Sequence, residues 1–393
     1  MKKTLLITLV TVLAVLVLCL AGCGSASDKS EKTTDNASTA SEDPAAESEA
    51  ETAAAPPQFD VLPVEAGRCM VSDGEYLYFI GDTKLYRTNL DLTDVMVLDD
   101  MGDYRADSLC LADGKVYYAT NKNSGSEMGL ERPAFEIRCI DTDGQSMEVV
   151  NTSENEVYSL SMWNGELVFG DYDTLKIVEP TSDSTWNELT LDDKYPHYVL
   201  ANNDGIYFTA GETNYENLEL YVYREEGSDR SAPKLADMSC VDAFAVAGKD
   251  VYFLAESKEE SDFNTMYDLM KVDAQGTVSA CGVSGDFSEG DLVRLCPYGD
   301  YIFYNKFETP DDDSYGAYIP YCYNTVTGEE SALPGYDDAN SYTVLCDVAG
   351  GYAFFKDVSV GAADNHVFLS LTDPTVCKSF ESVVANADES IVK

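Results

Sequence analysis

A tight turn followed by an almost wholly apolar run recurs along this chain. It occurs as SDGEYLYFI, ADGKVYYAT, WNGELVFG, NDGIYFTA, GKDVYFLA, YGDYIFYN and AGGYAFFK. Asp-Gly and Asn-Gly pairs permit the positive φ angles that two-residue β-hairpins require. The turn glycines are 40 to 51 residues apart along the chain: Gly74, Gly114, Gly165, Gly205, Gly248, Gly299 and Gly350. The chain is therefore a tandem repeat whose unit contains at least one β-hairpin.

The length of the repeat predicts a β-propeller. Units of about 40–50 residues that hold several strands are typical of propeller blades. The second unit divides into four strands, DSLCLAD, KVYYAT, FEIRCID and QSMEVVN. We predict an all-β fold, a β-propeller of four-stranded antiparallel blades, with seven blades or, as the alternative, eight. The segment FDVLPV at 59–64 is then either a strand that joins the last blade or part of an eighth blade.

The second strand of each unit supports this fold over other repeat architectures. EYLYFI, KVYYAT and DVYFLA are almost continuously apolar. A sheet with one face in water alternates apolar and polar residues, and so does a lipid-facing barrel. Leucine-rich repeats have a shorter period and a Leu/Asn ladder that this chain lacks. Continuous apolar strands indicate burial on both faces, as between neighbouring blades.

The N-terminus predicts export and a lipid anchor. Lys2 and Lys3 precede an apolar run from Leu5 to Leu20, which is the form of a secretory signal. The following Leu20–Cys23 stretch resembles the lipobox of bacterial lipoproteins, and the resemblance implies cleavage before Cys23 and diacylglycerol or palmitate attachment there. An uncleaved anchor helix is the alternative. The predicted organisation is a signal peptide at 1–22, lipidated Cys23 with a disordered acidic tether at 23–57, and the propeller at 58–393.

The net charge limits the classes of binding partner, and the cysteine positions predict whether the thiols are free. A net charge of −46 repels nucleic acid and anionic lipid head groups, so we expect no nucleic-acid partner. Cys19 and Cys23 leave nine other cysteines, an odd number without CxxC pairs. Five of them precede the turn of their unit, where cysteine acts as a small buried apolar residue: Cys69, Cys110, Cys240, Cys296 and Cys346. We expect free thiols and a monomeric domain on the extracytoplasmic side of the cell membrane.

Few residues point to chemistry. His197 and His366 are the two histidines, and the chain has no G-x-S-x-G, P-loop or HExxH motif. Asp311, Asp312 and Asp313 are weak candidates for Ca²⁺, because they lack the alternating spacing of an EF-hand loop. A solvated turn is the simpler interpretation, and no other cofactor is expected. A pair of carboxylates for glycoside chemistry stays open among 71 acidic residues.

The repeat also carries a family resemblance. GEYLYFIGDTKLYRTNLD in the first unit is similar to the repeat of secreted bacterial propellers in the tricorn-like and YWTD-like group. It resembles more closely the DG-x-[IVL]-Y-[YF]…LYR pattern of uncharacterised Gram-positive cell-surface lipoproteins. The resemblance covers roughly residues 66–380, although the YWTD and Trp-Asp signatures are missing. It implies fold and location, and it brings no catalytic residue.

The loops suggest where a partner binds. Second-to-third-strand loops and blade links are long, at 121–134, 210–218, 256–267, 306–319 and 357–365. Function tends to lie on such elaborated loops, and aromatic side chains there are plausible contacts for a sugar ring or a protein. The candidates are Tyr215, Phe263, Tyr267, Tyr315 and Tyr318, with packing of their own loops as the alternative. We predict a binding or scaffold module for a protein or glycan, and alternatively a glycan-active hydrolase or lyase with carboxylates at the channel mouth.

Overall fold

A computed structural model gives the fold of residues 57–81, 83–102, 104–122, 135–153, 155–171, 174–179, 187–189, 194–211, 218–224, 232–237, 243–257, 266–287, 294–308, 316–336, 343–357 and 366–390. The chain divides into residues 1–54 and residues 55–393, and the described residues all belong to the second unit. No helix within these ranges is long and apolar enough to span a membrane.

The second unit is a seven-bladed β-propeller, as the repeat predicted. The first three blades comprise β2 to β13, preceded by the short strand β1: β1 Ala66–Gly67, β2 Met70–Ser72, β3 Tyr76–Gly81, β4 Lys84–Asn89, β5 Met96–Asp100, β6 Tyr104–Ala112, β7 Lys115–Lys122, β8 Phe135–Asp141, β9 Met147–Ser153, β10 Val157–Trp163, β11 Glu166–Asp171, β12 Thr174–Val178 and β13 Asn187–Leu189. The remaining four blades comprise β14 Tyr195–Asn202, β15 Gly205–Gly211, β16 Glu219–Tyr223, β17 Lys234–Asp237, β18 Phe244–Ala247, β19 Asp250–Glu256, β20 Tyr267–Val272, β21 Val278–Gly285, β22 Cys296–Tyr298, β23 Tyr301–Glu308, β24 Ala317–Asn324, β25 Glu330–Ala332, β26 Thr343–Ala349, β27 Tyr352–Asp357, β28 His366–Ser370 and β29 Cys377–Ser379.

Each blade is built from four consecutive strands that pair antiparallel in chain order. Blade 2 gains β1 as a fifth strand at the free edge of its first strand, β6. Neither alternative for residues 59–64 is therefore correct, because the sheet of blade 7 contains only β26 to β29. Val64 makes one isolated bridge to Ser72, and the described residues form seven sheets rather than eight.

The second strand of each blade is buried on both faces, as its apolar run predicted. Leu77 and Phe79 of β3 enter the core between blades 7 and 1. Tyr78 and Ile80 enter the core between blades 1 and 2. Alternate side chains thus fill two different cores, so an apolar residue is needed at every position.

The hairpin turns at one end of the blades have the expected backbone. Asp113 and Gly114 have φ of 50° and 74°, and Asn164 and Gly165 have 52° and 85°. Two successive residues with positive φ match the right-handed twist of the flanking strands. We call this end, which carries the turns between first and second strands, the short-turn face, and the opposite end the long-loop face.

A C-terminal helix, α1 (Phe380–Val384), leads the chain from blade 7 back to blade 1. Ser379 caps its N-terminus by accepting a hydrogen bond from the Ser382 amide. The Phe380 ring lies 6.1 Å from that of Phe79, and Gly81 leaves room for it because a Cβ there would collide with the ring. Helix α1 therefore covers the outer part of the junction between the last and first blades.

Candidate functional site

The axis of the propeller is lined by the first strand of each blade, and the ring closes between β26 of blade 7 and β2 of blade 1. One carboxylate holds this junction. Oδ2 of Asp347 accepts hydrogen bonds from the backbone amides of Arg68, Cys69 and Met70 at 2.7, 2.9 and 3.1 Å. These bonds join residues near the two ends of the domain.

Burial dominates the electrostatics of this carboxylate. It raises the pKa of Asp347 to about 6, although hydrogen bonds from the Cys69, Met70, Arg68 and Val348 amides lower it. Desolvation of the charged form therefore outweighs the stabilisation that the amides provide.

Other blade junctions use a hydroxyl in a similar place. Ser108 Oγ of blade 2 accepts from the Leu160 amide of blade 3 at 2.7 Å, and Ser161 Oγ of blade 3 accepts from the Ala201 amide of blade 4 at 3.3 Å. A charged acceptor with three donors replaces the single hydroxyl contact at the closing junction. Charge-assisted hydrogen bonds are stronger than neutral ones, but at this site the cost of burying the charge exceeds what the amides return.

The chain before blade 1 lies across the short-turn face, and we call residues 59–64 the strap. Side chains of the strap lie in or next to the space that a Cβ would enter at turn glycines of three blades: Leu62 at Gly299 in blade 6, Val61 at Gly351 in blade 7 and Pro63 at Gly74 in blade 1. Phe59 is buried, with its ring 4.9 Å from that of Tyr301 and 5.3 Å from that of Phe303. The strap thus covers the hairpins on both sides of the closing junction.

A single tyrosine fastens the strap. The Tyr298 hydroxyl donates to the Asp60 carbonyl at 2.9 Å and accepts from the amides of Leu62 and Gly351, each at 2.8 Å. One donor and two acceptor sites are all that a hydroxyl has. Tyr298 therefore links blades 6 and 7 to the strap with every hydrogen-bonding site used.

Beyond the strap the chain passes into the axial channel. Ala66 and Gly67 pair with Cys110 and Leu109 on the axis side of β6. Gly67 has no room for a Cβ, which would collide with the Met70 carbonyl and meet the Asp347 carboxylate. The short-turn end of the channel is accordingly occupied by the chain itself.

The structure describes two of the five predicted aromatic contacts. Tyr318, on β24 at the long-loop face of blade 6, is half-buried with its ring 5.1 Å from that of Phe307. Tyr267 is wrongly placed in a loop by the sequence analysis, since it begins β20 and is only 6% exposed in the core between blades 5 and 6. It is a packing residue. The other candidates lie outside the described residues: Tyr215, Phe263, Tyr315, and the acids Asp311, Asp312 and Asp313.

Two described carboxylates at the long-loop ends of the strands are paired with lysines. Asp171 is buried and forms an ion pair with Lys176, with a further hydrogen bond from Ser153. Glu219 forms ion pairs with Lys194 and Lys234. Within the described ranges no group of three or more His, Cys, Asp or Glu side chains is arranged to hold a metal ion. These acids therefore stabilise the ends of the blades.

The histidines and Trp163 lie in structural settings. His366 opens β28 and stacks on Phe354 with ring centroids 4.9 Å apart. His197 lies on β14, the inner strand of blade 4, where the register shifts between Pro196 and Tyr198. Trp163 is in the core between blades 3 and 4.

Sequence reasoning missed Asp347, although a signal was present. The inner strand of blade 7, TVLCDVA, carries one acid in an otherwise almost wholly apolar strand. Such an acid must have partners, because an isolated buried charge is costly. The sequence does not show that those partners lie 277 to 279 residues earlier in the chain.

Comparisons with known proteins leave the family open. No family model and no curated protein matches this chain. Among solved structures, it is similar to oligogalacturonate lyase from Vibrio parahaemolyticus, with 8% identity, 63% of this chain and 74% of that chain covered, and a TM-score of 0.46. Virginiamycin B lyase from Staphylococcus aureus has 12% identity, coverage of 76% and 96%, and a TM-score of 0.45. A putative TolB from Agrobacterium tumefaciens has 10% identity, coverage of 64% and 89%, and a TM-score of 0.44.

Proposed function

We propose that this protein is a lipoprotein of the cell surface, anchored through Cys23 on the extracytoplasmic side, whose propeller binds a protein or glycan on its long-loop face. The observation that carries the choice of face is the strap. It covers turns of blades 6, 7 and 1 on the short-turn face, and the chain then enters the channel from that end. A ligand that approaches the axis therefore has the long-loop face available.

The composition of the segment before the propeller supports the choice of a tethered module. Residues 24–56 are acidic and rich in Ser, Ala and Glu, and they contain almost no large apolar residue. Such a composition cannot bury enough apolar surface to fold and fits a disordered tether.

The alternative, a glycan-active enzyme, gains no specific support from the described residues. Its chemistry needs a carboxylic acid with a raised pKa beside a second carboxylate. Asp347 has the raised pKa, but its Oδ2 is committed to three backbone amides. Asp171 and Glu219 are held by lysines. A binding function is therefore the better proposal.

The test compares the two faces of blade 6. The full chain is assayed for binding to immobilised cell-wall polysaccharides, plant and host glycans, and purified envelope proteins. Tyr318→Ala changes the long-loop face, whereas Val326→Ala changes an exposed turn at the other end of the same blade. If Tyr318 is a central contact, its removal weakens binding by about 2 kcal/mol, or roughly 30-fold. Val326→Ala should bind as the wild type does.

Two results would contradict the proposal. Loss of binding in Val326→Ala but not in Tyr318→Ala would place the partner on the short-turn face. Cleavage of a glycan by the wild-type chain would favour the enzyme. Near-UV circular dichroism of Tyr318→Ala provides the folding control, since its ring packs against Phe307.

A further inference from the structure

The junction between the last and first blades contains two cysteines that pack against one hydrophobic core. Cys69 immediately precedes β2 of blade 1, and Cys346 lies on β26 of blade 7. Both are half-buried free thiols that pack against the same core. The Cys69 amide also donates to Asp347, the residue after Cys346, at 2.9 Å.

This pair lies where the fold has no shared sheet. In the described chain each blade uses consecutive strands, so no β-ladder crosses from blade 7 to blade 1. The junction is held by the Asp347 hydrogen bonds, helix α1, the strap, and one isolated parallel bridge from Asp388 after α1 to Met96 of blade 1. A covalent bond here would join blade 7 to blade 1, as a sheet with strands from both ends of the chain would otherwise do.

We propose that Cys69 and Cys346 form a disulfide bond in the presence of a small-molecule or protein disulfide, and that this bond closes the propeller ring covalently. One cysteine thiolate attacks the oxidant disulfide, which gives a mixed disulfide and releases one thiol. The second cysteine thiolate attacks the cysteine sulfur of that mixed disulfide and releases the second thiol. Two cysteine protons and two electrons pass to the oxidant, which ends as two thiols.

The surroundings make this a slow reaction of the folded protein. The neighbouring Cys346 thiol, burial and the nearby Asp347 carboxylate all raise the pKa of the Cys69 thiol well above its ordinary value. The thiolate is the reacting form, so the reaction is expected to be faster at higher pH.

Cys296 is the competitor for the same reaction. Its Sγ points at the main-chain oxygen of Cys346 at 3.9 Å, and burial raises the pKa of its thiol well above the ordinary value. It lies on β22 of blade 6, so a bond from Cys296 to Cys346 would join blades 6 and 7 and would leave the ring unclosed. The experiment must distinguish these two partners.

The full chain is incubated with glutathione disulfide at pH 8 and in parallel with dithiothreitol. Remaining thiols are then blocked with iodoacetamide, and non-reduced peptides are mapped by mass spectrometry. We expect one peptide pair joined through Cys69 and Cys346, which disappears on reduction. The oxidised protein should melt at least about 4 °C higher than the reduced protein, because the bond restricts the unfolded chain.

Variants assign the bond. Cys69→Ser and Cys346→Ser should each lose the cross-link and the thermal shift, whereas Cys296→Ser should keep both. If Cys69→Ser fails to fold, the wild-type peptide map and Cys346→Ser still decide the question. Complete alkylation of Cys69 after oxidation overturns the proposal. So does a cross-link from Cys296, or a Cys69–Cys346 bond that leaves the melting temperature unchanged.

Discussion

Replacement of Asp347 by asparagine tests whether burial or hydrogen bonding controls the closing junction. The buried carboxylate has a pKa raised from 3.8 to about 6. The folded protein therefore binds this proton more tightly than the unfolded chain does. The resulting stabilisation is fully present below pH 3.8 and is lost as the pH rises through about 6. Asparagine keeps a carbonyl acceptor but does not titrate.

The magnitude follows from the two pKa values. Between pH 7.5 and pH 5 the folded carboxylate becomes mostly protonated, while the unfolded one stays mostly ionised. Linkage then adds about 1.4 kcal/mol to the free energy of unfolding of the wild type, and the Asn variant gains none of it. Between neutral pH and a pH well below 3.8, the contribution of Asp347 to the free energy of unfolding reaches at most about 3 kcal/mol.

The assay is urea unfolding of wild type and Asp347→Asn at several pH values from 5 to 7.5. A net charge of −46 also changes stability with pH, but it does so in both proteins and largely cancels in the difference. Asp373→Asn is the matched control. Its exposed carboxylate has a pKa lowered by the hydroxyl and amide of Thr375, so its contribution has the opposite sign.

Parallel stability curves for wild type and Asp347→Asn would refute the reasoning. If the wild type instead loses stability relative to Asp347→Asn as the pH falls, the predicted sign of the pH dependence is reversed. That result would mean that the three amide hydrogen bonds outweigh the cost of burying the charge, and that the carboxylate pKa in the folded protein lies below 3.8.

Three further predictions address the lipid anchor, helix α1 and the fastening of the strap. Cys23→Ser should abolish metabolic labelling by a palmitate analogue and cleavage before residue 23; a labelled variant, or a mature wild type that starts elsewhere, would contradict the lipid anchor. Phe380→Ala should lower the free energy of unfolding by about 3–5 kcal/mol, because it leaves a cavity beside Phe79 and Tyr86, and a loss below about 1 kcal/mol in urea unfolding would mean that α1 is dispensable. Tyr298→Phe should cost about 2 kcal/mol in the same assay, since the Leu62 and Gly351 amides lose their acceptor, and unchanged hydrogen exchange at both amides would show that water replaces the hydroxyl.

The blades could be predicted from sequence because each is encoded locally. Two-residue turns such as Asn164-Gly165 determine the hairpins, and continuous apolar runs such as that of β15 indicate burial on both faces. The error at Tyr267 is one of boundary. The predicted loop runs from residue 256 to residue 267, but Tyr267 is already the first residue of β20. Tyr267 pairs with Glu256, the last residue of β19, which was also assigned to the loop.

Closure could not be predicted in the same way. The contacts that complete the ring join residues far apart, such as Arg68 with Asp347 and Lys84 with Glu389. No local pattern specifies such a pair. An N-terminal strand that completes the last blade was a reasonable expectation for residues 59–64, but Tyr298 holds this segment against the hairpin turns instead.

The arrangement of the strap and Asp347 has a consequence for the order in which the molecule assembles during synthesis. Each blade can form soon after its four strands leave the ribosome, because its pairing is local. Leu62 and Arg68 are made before blade 1, yet their partners Tyr298 and Asp347 are made 236 and 279 residues later. The first residues of the strap, 59–62, must therefore wait without these partners until blades 6 and 7 emerge, whereas Ala66 and Gly67 can already pair with blade 2. A nascent chain that is truncated within blade 6 should hold up to five formed blades in an open arc, with residues 59–62 susceptible to protease until blades 6 and 7 are complete.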